Sequence, residues 1–219
     1  MAKSWVKQEI KKDWTTQKTE AFLLWIKNHR EYFIGTVVTL IALLLVALYS
    51  INRLGARKEY AWEKFVIAQQ LMQAGKSEEA FKQIDLLEQE FPRTDAASYG
   101  TLLKADTMYR AGNYKEAAQT YKQLIVKAKP ALIVPFAMSG LAAAIQAQND
   151  ISGAIAAAQQ FLDKYPEHFL APQVYLTLAE SLEASGKAVE AKTSYEKITL
   201  HFPDTYWARI AKAKLTVKK

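Results

Sequence analysis

The sequence predicts an all-α protein in which one transmembrane helix precedes a solenoid of four helix hairpins and a capping helix. Three observations support this prediction. An uncharged apolar run extends from Tyr32 to Ile51, a turn residue recurs every 37 residues after it, and alanines recur at fixed distances from each turn. The chain therefore divides into three predicted parts, which are residues 1–31, 32–51 and 52–219.

The composition excludes several classes of function. Among 219 residues there is no cysteine, which excludes disulfides, thiolate metal sites and cysteine nucleophiles. Lysine and arginine number 29 against 22 acidic residues, a formal charge of +7, but they alternate with glutamates along the predicted helices. Because nucleic-acid binding needs basic residues gathered on one face, we expect no nucleic-acid partner.

Residues 1–31 form a short basic arm, with seven lysines and arginines against four acidic residues. Val6, Ile10 and Trp14 are spaced by four residues, which is typical of a basic amphipathic helix that lies on an anionic leaflet. The alternative is that the segment from Phe22 to Ile26 extends the following helix into the membrane interface.

Residues 32–51 are twenty residues without a charge, and at about 1.5 Å each they match the roughly 30 Å of a bilayer core. Tyr32, Phe33 and Tyr49 lie at the ends of this run, where aromatic rings favour the headgroup region. The alternatives are a cleaved signal peptide, which is usually shorter and nearer the terminus, and a buried helix, which usually carries a polar stripe. We therefore predict an uncleaved anchor in contact with membrane lipid.

The orientation of this anchor rests on the charges that flank it. The local count ties, with four basic residues within twenty positions on each side: Lys12, Lys18, Lys27 and Arg30 before the run, and Arg53, Arg57, Lys58 and Lys64 after it. The arm as a whole is short and basic, whereas a long domain translocates largely regardless of its charge. We therefore expect a cytoplasmic N-terminus and an extracytoplasmic C-terminal part.

A repeat of 37 residues organises the rest of the chain. Its markers are a turn residue, an alanine seven positions before it and an alanine five positions after it: Gly75, Gly112, Asn149 and Gly186; Ala68, Ala105, Ala142 and Ala179; Ala80, Ala117, Ala154 and Ala191. A proline follows each second helix, at Pro92, Pro130, Pro166 and Pro203, and three of these four keep the same phase. Glycine and asparagine accept the left-handed conformation that ends a helix, and alanine allows two helices to approach closely.

The spacing predicts helices over 57–74, 77–90, 95–111, 114–128, 131–148, 151–164, 168–185 and 188–201. Asn113 and Asp150 are candidate N-caps. A ninth helix, over 205–217 and capped by Asp204, carries Trp207, Ile210 and Leu215 on one side, as expected of a terminal cap that covers the last repeat. Large residues are expected to fill the layers: Leu71, Ile84, Leu87, Tyr121, Leu124, Ile145, Phe161, Leu178, Tyr195 and Ile198.

These units resemble the tetratricopeptide repeat (TPR) over residues 57–203. In each unit the turn residue, the alanines, a bulky residue and the proline fall in the order of that family, although each unit is three residues longer than usual and Ala158 replaces the aromatic of the third. The resemblance implies a right-handed α-solenoid of four hairpins that binds other proteins.

No catalytic pattern is present in the sequence. The histidines, His29, His168 and His201, are scattered, and we find no zinc-protease, hydrolase or phosphate-binding motif and no acidic metal cluster. We therefore expect no enzyme activity, no cofactor, no metal and no small-molecule substrate.

The TPR resemblance implies that the first helix of each hairpin lines a partner-binding groove. The positions that correspond are Trp62, Phe65, Gln69 and Met72; Tyr99, Leu102, Asp106, Tyr109 and Arg110; Phe136, Ser139 and Gln146; Gln173, Leu176, Glu180 and Glu183. The first two sets are aromatic and the last is acidic. The alternative for Trp62, Phe65 and Tyr99 is that they pack as core.

The anchor carries a second resemblance, through the stretch Trp25-Ile-Lys-Asn-His-Arg-Glu-Tyr-Phe-Ile-Gly35 and the apolar run to Tyr49. It is similar to the ancillary subunit of the bacterial Sec translocon. That resemblance implies an inner-membrane protein whose repeats face the periplasm and associate with the translocon and a chaperone. The regular Phe-Pro repeats look more like those of periplasmic cell-division and outer-membrane assembly proteins. The alternative function is therefore a structural adaptor in an envelope machine for division, outer-membrane or pilus assembly.

Overall fold

The structure, a computed structural model, describes residues 3–216, and the side chains of residues 16–216 apart from that of Asn52. These residues form α-helices with no strand among them, which confirms the predicted all-α solenoid. The helices are α1 (Lys3–Asn28), α2 (Arg30–Gln73), α3 (Ser77–Glu90), α4 (Asp95–Arg110), α5 (Tyr114–Lys127), α6 (Val134–Ala147), α7 (Ile151–Lys164), α8 (Ala171–Ala184), α9 (Ala188–His201) and α10 (Tyr206–Thr216). A short 3₁₀ turn (Ala131–Ile133) precedes α6.

The chain divides into two compact units, Met1–Ala56 and Arg57–Lys219. In the first unit, the side chains of the predicted arm residues Val6, Ile10 and Trp14 lie outside the described ones, as do Met1 and Ala2. Helix α2 is long and apolar enough to cross a membrane. Its large apolar side chains from Val37 to Ile51 are exposed, unlike those of a core helix.

Polar side chains within the apolar run of α2 bond to their own helix. The hydroxyls of Thr36, Thr39 and Ser50 each donate to the carbonyl four residues earlier, at distances of 2.7–2.8 Å. Such bonds satisfy a hydroxyl where no water is available. These three hydroxyls therefore require no polar partner outside the helix.

Each predicted turn residue adopts the left-handed conformation. The φ angles are +75° at Gly75, +85° at Gly112, +63° at Asn149 and +79° at Gly186. In every case the next residue donates its N–H to the carbonyl five residues before it, as Lys76 does to Leu71 at 2.9 Å and Lys187 to Leu182 at 2.9 Å. This is the hydrogen-bond pattern of a Schellman motif, which ends one helix and positions the next.

The eight repeated alanines are among the most buried positions of the second unit. All eight are at most 1% exposed. Around them the predicted layer residues are buried, except Leu71, which is half-buried. The hairpins are therefore packed as the repeat predicts, with alanine wherever two helices approach closely.

Several predicted helix boundaries are wrong. The third and fourth hairpins begin later than 131 and 168, because Pro135 and Pro172 lie in the first turns of α6 and α8. Proline favours that position, and it restricts the residue before it. The first helix of the first hairpin does not begin at 57, since it is the C-terminal part of α2.

Two predicted caps are also corrected. Asp150 accepts from the N–H of Gly153 at 2.9 Å, as predicted, but Asn113 makes no side-chain cap bond. Helix α10 begins after Thr205, whose hydroxyl accepts from Ala208 at 3.1 Å, so Thr205 and not Asp204 is the cap. Of the predicted span 205–217, Val217 lies outside the described residues.

Helix α10 covers the last hairpin as predicted. Ala208 and Ala211 are fully buried against α8 and α9, and Trp207, Ile210 and Leu215 are partly buried on the same cluster. Arg209, Lys212 and Lys214 lie on the exposed side. The solenoid core therefore ends in a polar surface.

Candidate protein-binding groove

Three aromatic rings meet where the first two hairpins pack together. The Trp62 ring centroid lies 5.5 Å from that of Phe65 and 5.7 Å from that of Tyr99, and Phe65 lies 6.4 Å from Tyr99. Trp62 is 41% exposed, Tyr99 is half-buried and Phe65 is only 8% exposed. Phe65 therefore belongs to the core beneath the other two rings, and Trp62 presents an open apolar surface.

The remaining groove positions of the first two hairpins differ in exposure. Gln69 and Arg110 are exposed, whereas Met72, Leu102 and Tyr109 are half-buried. Tyr109 packs on Tyr114 at 5.4 Å between ring centroids. The Arg110 guanidinium donates to Thr107 Oγ1 at 3.3 Å and to the carbonyl of Asp106 at 3.4 Å, so it is held close to its own helix.

Two core tyrosines donate hydrogen bonds to two of the acidic residues that were predicted to line the groove. The hydroxyl of Tyr121 donates to Asp106 Oδ1 at 2.5 Å, and that of Tyr195 donates to Glu183 Oε2 at 3.0 Å. Burial raises the pKa of both tyrosines, and the neighbouring carboxylate raises it further. Burial also raises the pKa of Asp106, against the lowering effects of the Tyr121 hydrogen bond and the charge of Arg110.

The capping helix contacts the acidic end of the groove. Lys214 Nζ lies 3.0 Å from Glu183 Oε2, so this carboxylate receives both a tyrosine hydroxyl and an ammonium group. Glu180 accepts from Gln146 Nε2 at 3.3 Å, and the same amide donates to the Thr177 carbonyl at 3.4 Å. The acidic set is therefore partly neutralised from within the chain.

The remaining predicted positions lie in the third and fourth hairpins. Phe136 is half-buried, with its ring 5.6 Å from Phe169 and 6.0 Å from His168. Gln173 is half-buried, while Ser139 and Leu176 are buried and support the surface from below. Within the described part of the chain no group of three His, Asp or Glu side chains could hold a metal.

The tyrosine contacts were not predicted as part of the groove. Tyr121 and Tyr195 were expected only as core residues. A buried tyrosine needs a hydrogen-bond partner, so tyrosine at two core positions was a signal that polar groups lie nearby.

Comparison with known protein families identifies the fold. A family model described as a tetratricopeptide repeat-like domain matches residues 23–157. The chain belongs to this TPR-like family. A second model, described as a tetratricopeptide repeat, matches residues 173–205, so the fourth hairpin is also recognised as a TPR.

Solved structures show the same fold at low sequence identity. A tetratricopeptide repeat protein from Parabacteroides merdae aligns with a TM-score of 0.60 and 14% identity over 71% of this chain and 59% of that one. TPR-like repeats from Podosopora anserina, described as a kinesin light chain, align with a TM-score of 0.55 and 16% identity over 72% of this chain and 84% of that one. The chain thus spans only 59% of the length of the first structure. A search of curated proteins finds no match.

The family determines the general class of function. TPR-like repeats form protein–protein interaction scaffolds and are generally not catalytic, and no enzyme family matches this chain.

Proposed function

We propose that this TPR-like protein is a membrane-anchored scaffold that binds segments of other proteins along the surface of α2, α4, α6 and α8. The observation that carries this proposal is the ring cluster of Trp62, Phe65 and Tyr99, in which a buried ring supports an exposed one. A rigid exposed aromatic on a packed base is the usual anchor of a protein interface.

The groove chemistry favours apolar partner segments over charged ones. Glu180 and Glu183 already have partners within the chain, namely Gln146, Tyr195 and Lys214. Asp106 likewise accepts from Tyr121. These internal contacts already compensate part of the acidic charge that a basic partner segment would meet, whereas an apolar segment can pack directly on the exposed ring of Trp62.

The membrane part of the proposal rests on α2. Its apolar run is exposed, the hydroxyls of Thr36, Thr39 and Ser50 are satisfied within the helix, and the TPR-like family model already begins at residue 23, before this run. We infer that residues 32–51 cross the membrane, with residues 1–31 as a cytoplasmic arm and the repeats outside the cytoplasm.

The most specific form of the proposal concerns bacterial export. The segment from Trp25 to Gly35, which leads into the apolar run, resembles the corresponding segment of the ancillary Sec translocon subunit. This resemblance supports an inner-membrane scaffold that handles newly exported proteins beside the translocon and a periplasmic chaperone. The alternative is a structural adaptor of an envelope machine, which would bind folded subunits and no substrate polypeptide.

One experiment separates these two functions. The full-length chain in detergent is mixed with a permanently unfolded model protein and, separately, with the same protein folded. The export proposal predicts binding of the unfolded form alone, and it predicts that Trp62→Ala weakens this binding. Absence of binding to the unfolded form would favour the adaptor.

A further inference from the structure

A second cleft lies outside the groove, between the second helices of the first two hairpins. It has a volume of about 650 Å³, within the range of ligand-binding clefts. Its walls come from the end of α3, the first turns of α4 and the end of α5: Glu88, Pro92, Arg93, Ala97, Ser98, Thr101, Gln123, Leu124, Val126, Lys127, Ala128 and Lys129.

The repeat itself shows why this cleft is open. The residue that follows each second helix is aromatic in three units, as Phe91, Tyr165 and Phe202, but it is Ala128 in the second. In the fourth unit the Phe202 ring packs 6.5 Å from Tyr175. The second unit has Ala128 and Thr101 at these two positions, so it lacks both rings. A second, smaller cleft of about 470 Å³ lies between α7, α8 and α9, and Phe202 does not line it.

The charges around the two clefts are opposite in sign. Arg93, Lys127 and Lys129 line the first cleft against a single carboxylate, that of Glu88, which accepts a hydrogen bond from Thr101. None of the three cations forms an ion pair with another described residue. In the second cleft Asp163 and Glu190 outnumber Lys197. The positive character is therefore specific to the first cleft.

The backbone at Arg93 is also unusual. Its φ of +62° lies in the left-handed region, which costs about 1 kcal/mol or more for a residue with a Cβ. Val126, on the opposite wall, is an aliphatic side chain that is 85% exposed. Strained backbone of this kind is concentrated at binding sites, and an exposed valine beside three cations offers apolar contact there.

We propose that this cleft binds an acidic peptide segment of a partner protein. One aromatic side chain of the segment occupies the space that Phe202 and Tyr175 fill in the fourth repeat, and its flanking carboxylates pair with Arg93, Lys127 and Lys129. The occupant follows from the shape of the missing ring and from charge complementarity. The cleft is separate from the Trp62 groove, so a partner can contact both.

The test uses the full-length chain in detergent and a fluorescein-labelled peptide, Asp-Glu-Phe-Asp-Glu, followed by fluorescence anisotropy. Saturable binding to the wild type is expected. The affinity should fall more than tenfold in the single variant Ala128→Phe, and also in the double variant that combines Lys127→Glu and Lys129→Glu. The matched control is Lys115→Glu with Lys122→Glu, which changes the charge of α5 equally but outside the cleft. A peptide with alanine in place of phenylalanine should bind at least tenfold more weakly.

Ala128 lines the cleft, so a phenylalanine there adds bulk to the cleft wall. The φ of −57° and ψ of 132° at Ala128 differ from those of Phe91, Tyr165 and Phe202, so the Tm of Ala128→Phe is measured first to establish that the variant is folded. If this variant does not fold, the charge-reversal pair and the alanine peptide decide the result. The proposal is overturned if the wild-type chain shows no saturable binding, or if folded Ala128→Phe binds as tightly as the wild type. It is also overturned if Trp62→Ala abolishes binding, since the peptide would then occupy the groove.

Discussion

The ring of Tyr121 occupies the space that a side chain on Gly140 would need. A Cβ added to Gly140 would lie 2.6 Å from Cε1 of Tyr121 and 2.8 Å from its hydroxyl. Tyr121 is 2% exposed and holds Asp106, so it cannot turn away without losing that hydrogen bond. One repeat later, Ala158 stands at the position of Tyr121 and Thr177 at the position of Gly140. The larger side chain of this pair therefore comes from the other helix.

Gly140→Ala should therefore destabilise the chain strongly, by about 1–3 kcal/mol, because overpacking moves the tyrosine or the helix. Combining it with Tyr121→Leu should cost less than the sum of the single changes, because the two residues share one space. Thermal melts followed by circular dichroism, with both single variants and the double variant, measure this coupling. Additive losses would show that the two positions do not compete for one space.

The repeated alanines give a second stability prediction. Ala142→Leu or Ala179→Leu should cost roughly 1–3 kcal/mol, since both alanines are fully buried where hairpin helices meet. Ala147→Leu is the matched control, because Ala147 lies on α6 with Ala142 but is exposed. Tm values of the full-length variants in detergent decide the matter. Equal Tm values for Ala142→Leu and the control would contradict the packing described here.

Much of this fold was predictable because the repeat is regular. The bounds of α3, α7 and α9 were predicted to the residue, since a glycine or asparagine precedes each helix and a Phe-Pro or Tyr-Pro follows it. The starts of α6 and α8 were predicted too early, because hydrophobic spacing continues across the turns that precede Pro135 and Pro172.

The groove was less predictable than the helices. Trp62 and Phe65 are three residues apart and fall on the same side of a helix, so periodicity cannot tell which of them is core. The packing of α4 decides it, because Ala96 and Ala97 cover Phe65 and leave Trp62 open. The tyrosine contacts of Asp106 and Glu183 join residues 15 and 12 positions apart, respectively, on different helices, which spacing within one helix does not show.

The raised pKa of Asp106 predicts a pH dependence of stability. Because the folded state binds this proton more tightly than the unfolded chain, the carboxyl favours folding below its ordinary pKa of 3.8. This contribution is lost as the pH rises through the folded-state value. Asp106→Asn, which keeps an oxygen acceptor for Tyr121, should therefore gain stability relative to the wild type as the pH rises.

Urea unfolding of both proteins at several pH values across this range measures the difference. A gap that stays constant with pH would contradict the raised pKa, and a gap that changes in the opposite direction would indicate a lowered one.

The proposed topology predicts where reporters are active. A reporter that functions only outside the cytoplasm should be active when fused after Lys219, and a cytoplasm-only reporter should be silent there. Fusions before residue 32 should show the reverse. Because the basic residues that flank the span tie in number, the result is decided by the arm as a whole. An active cytoplasmic reporter after Lys219 would remove the export proposal.

The central claim, that the aromatic groove binds partner proteins, is tested most directly by affinity capture from detergent-solubilised membranes. The baits are the full-length wild type, Trp62→Ala with Tyr99→Ala, and Tyr60→Ala, which removes an exposed aromatic of α2 outside the predicted groove set. Circular dichroism first establishes that each variant is folded. Each anchor is worth about 2 kcal/mol at an interface centre, and contacting residues are not additive, so we expect at least a tenfold loss for the double variant. Capture by Tyr60→Ala should match that of the wild type, with little dependence on salt. Full capture by the folded double variant, or capture lost mainly at high salt, would contradict the account.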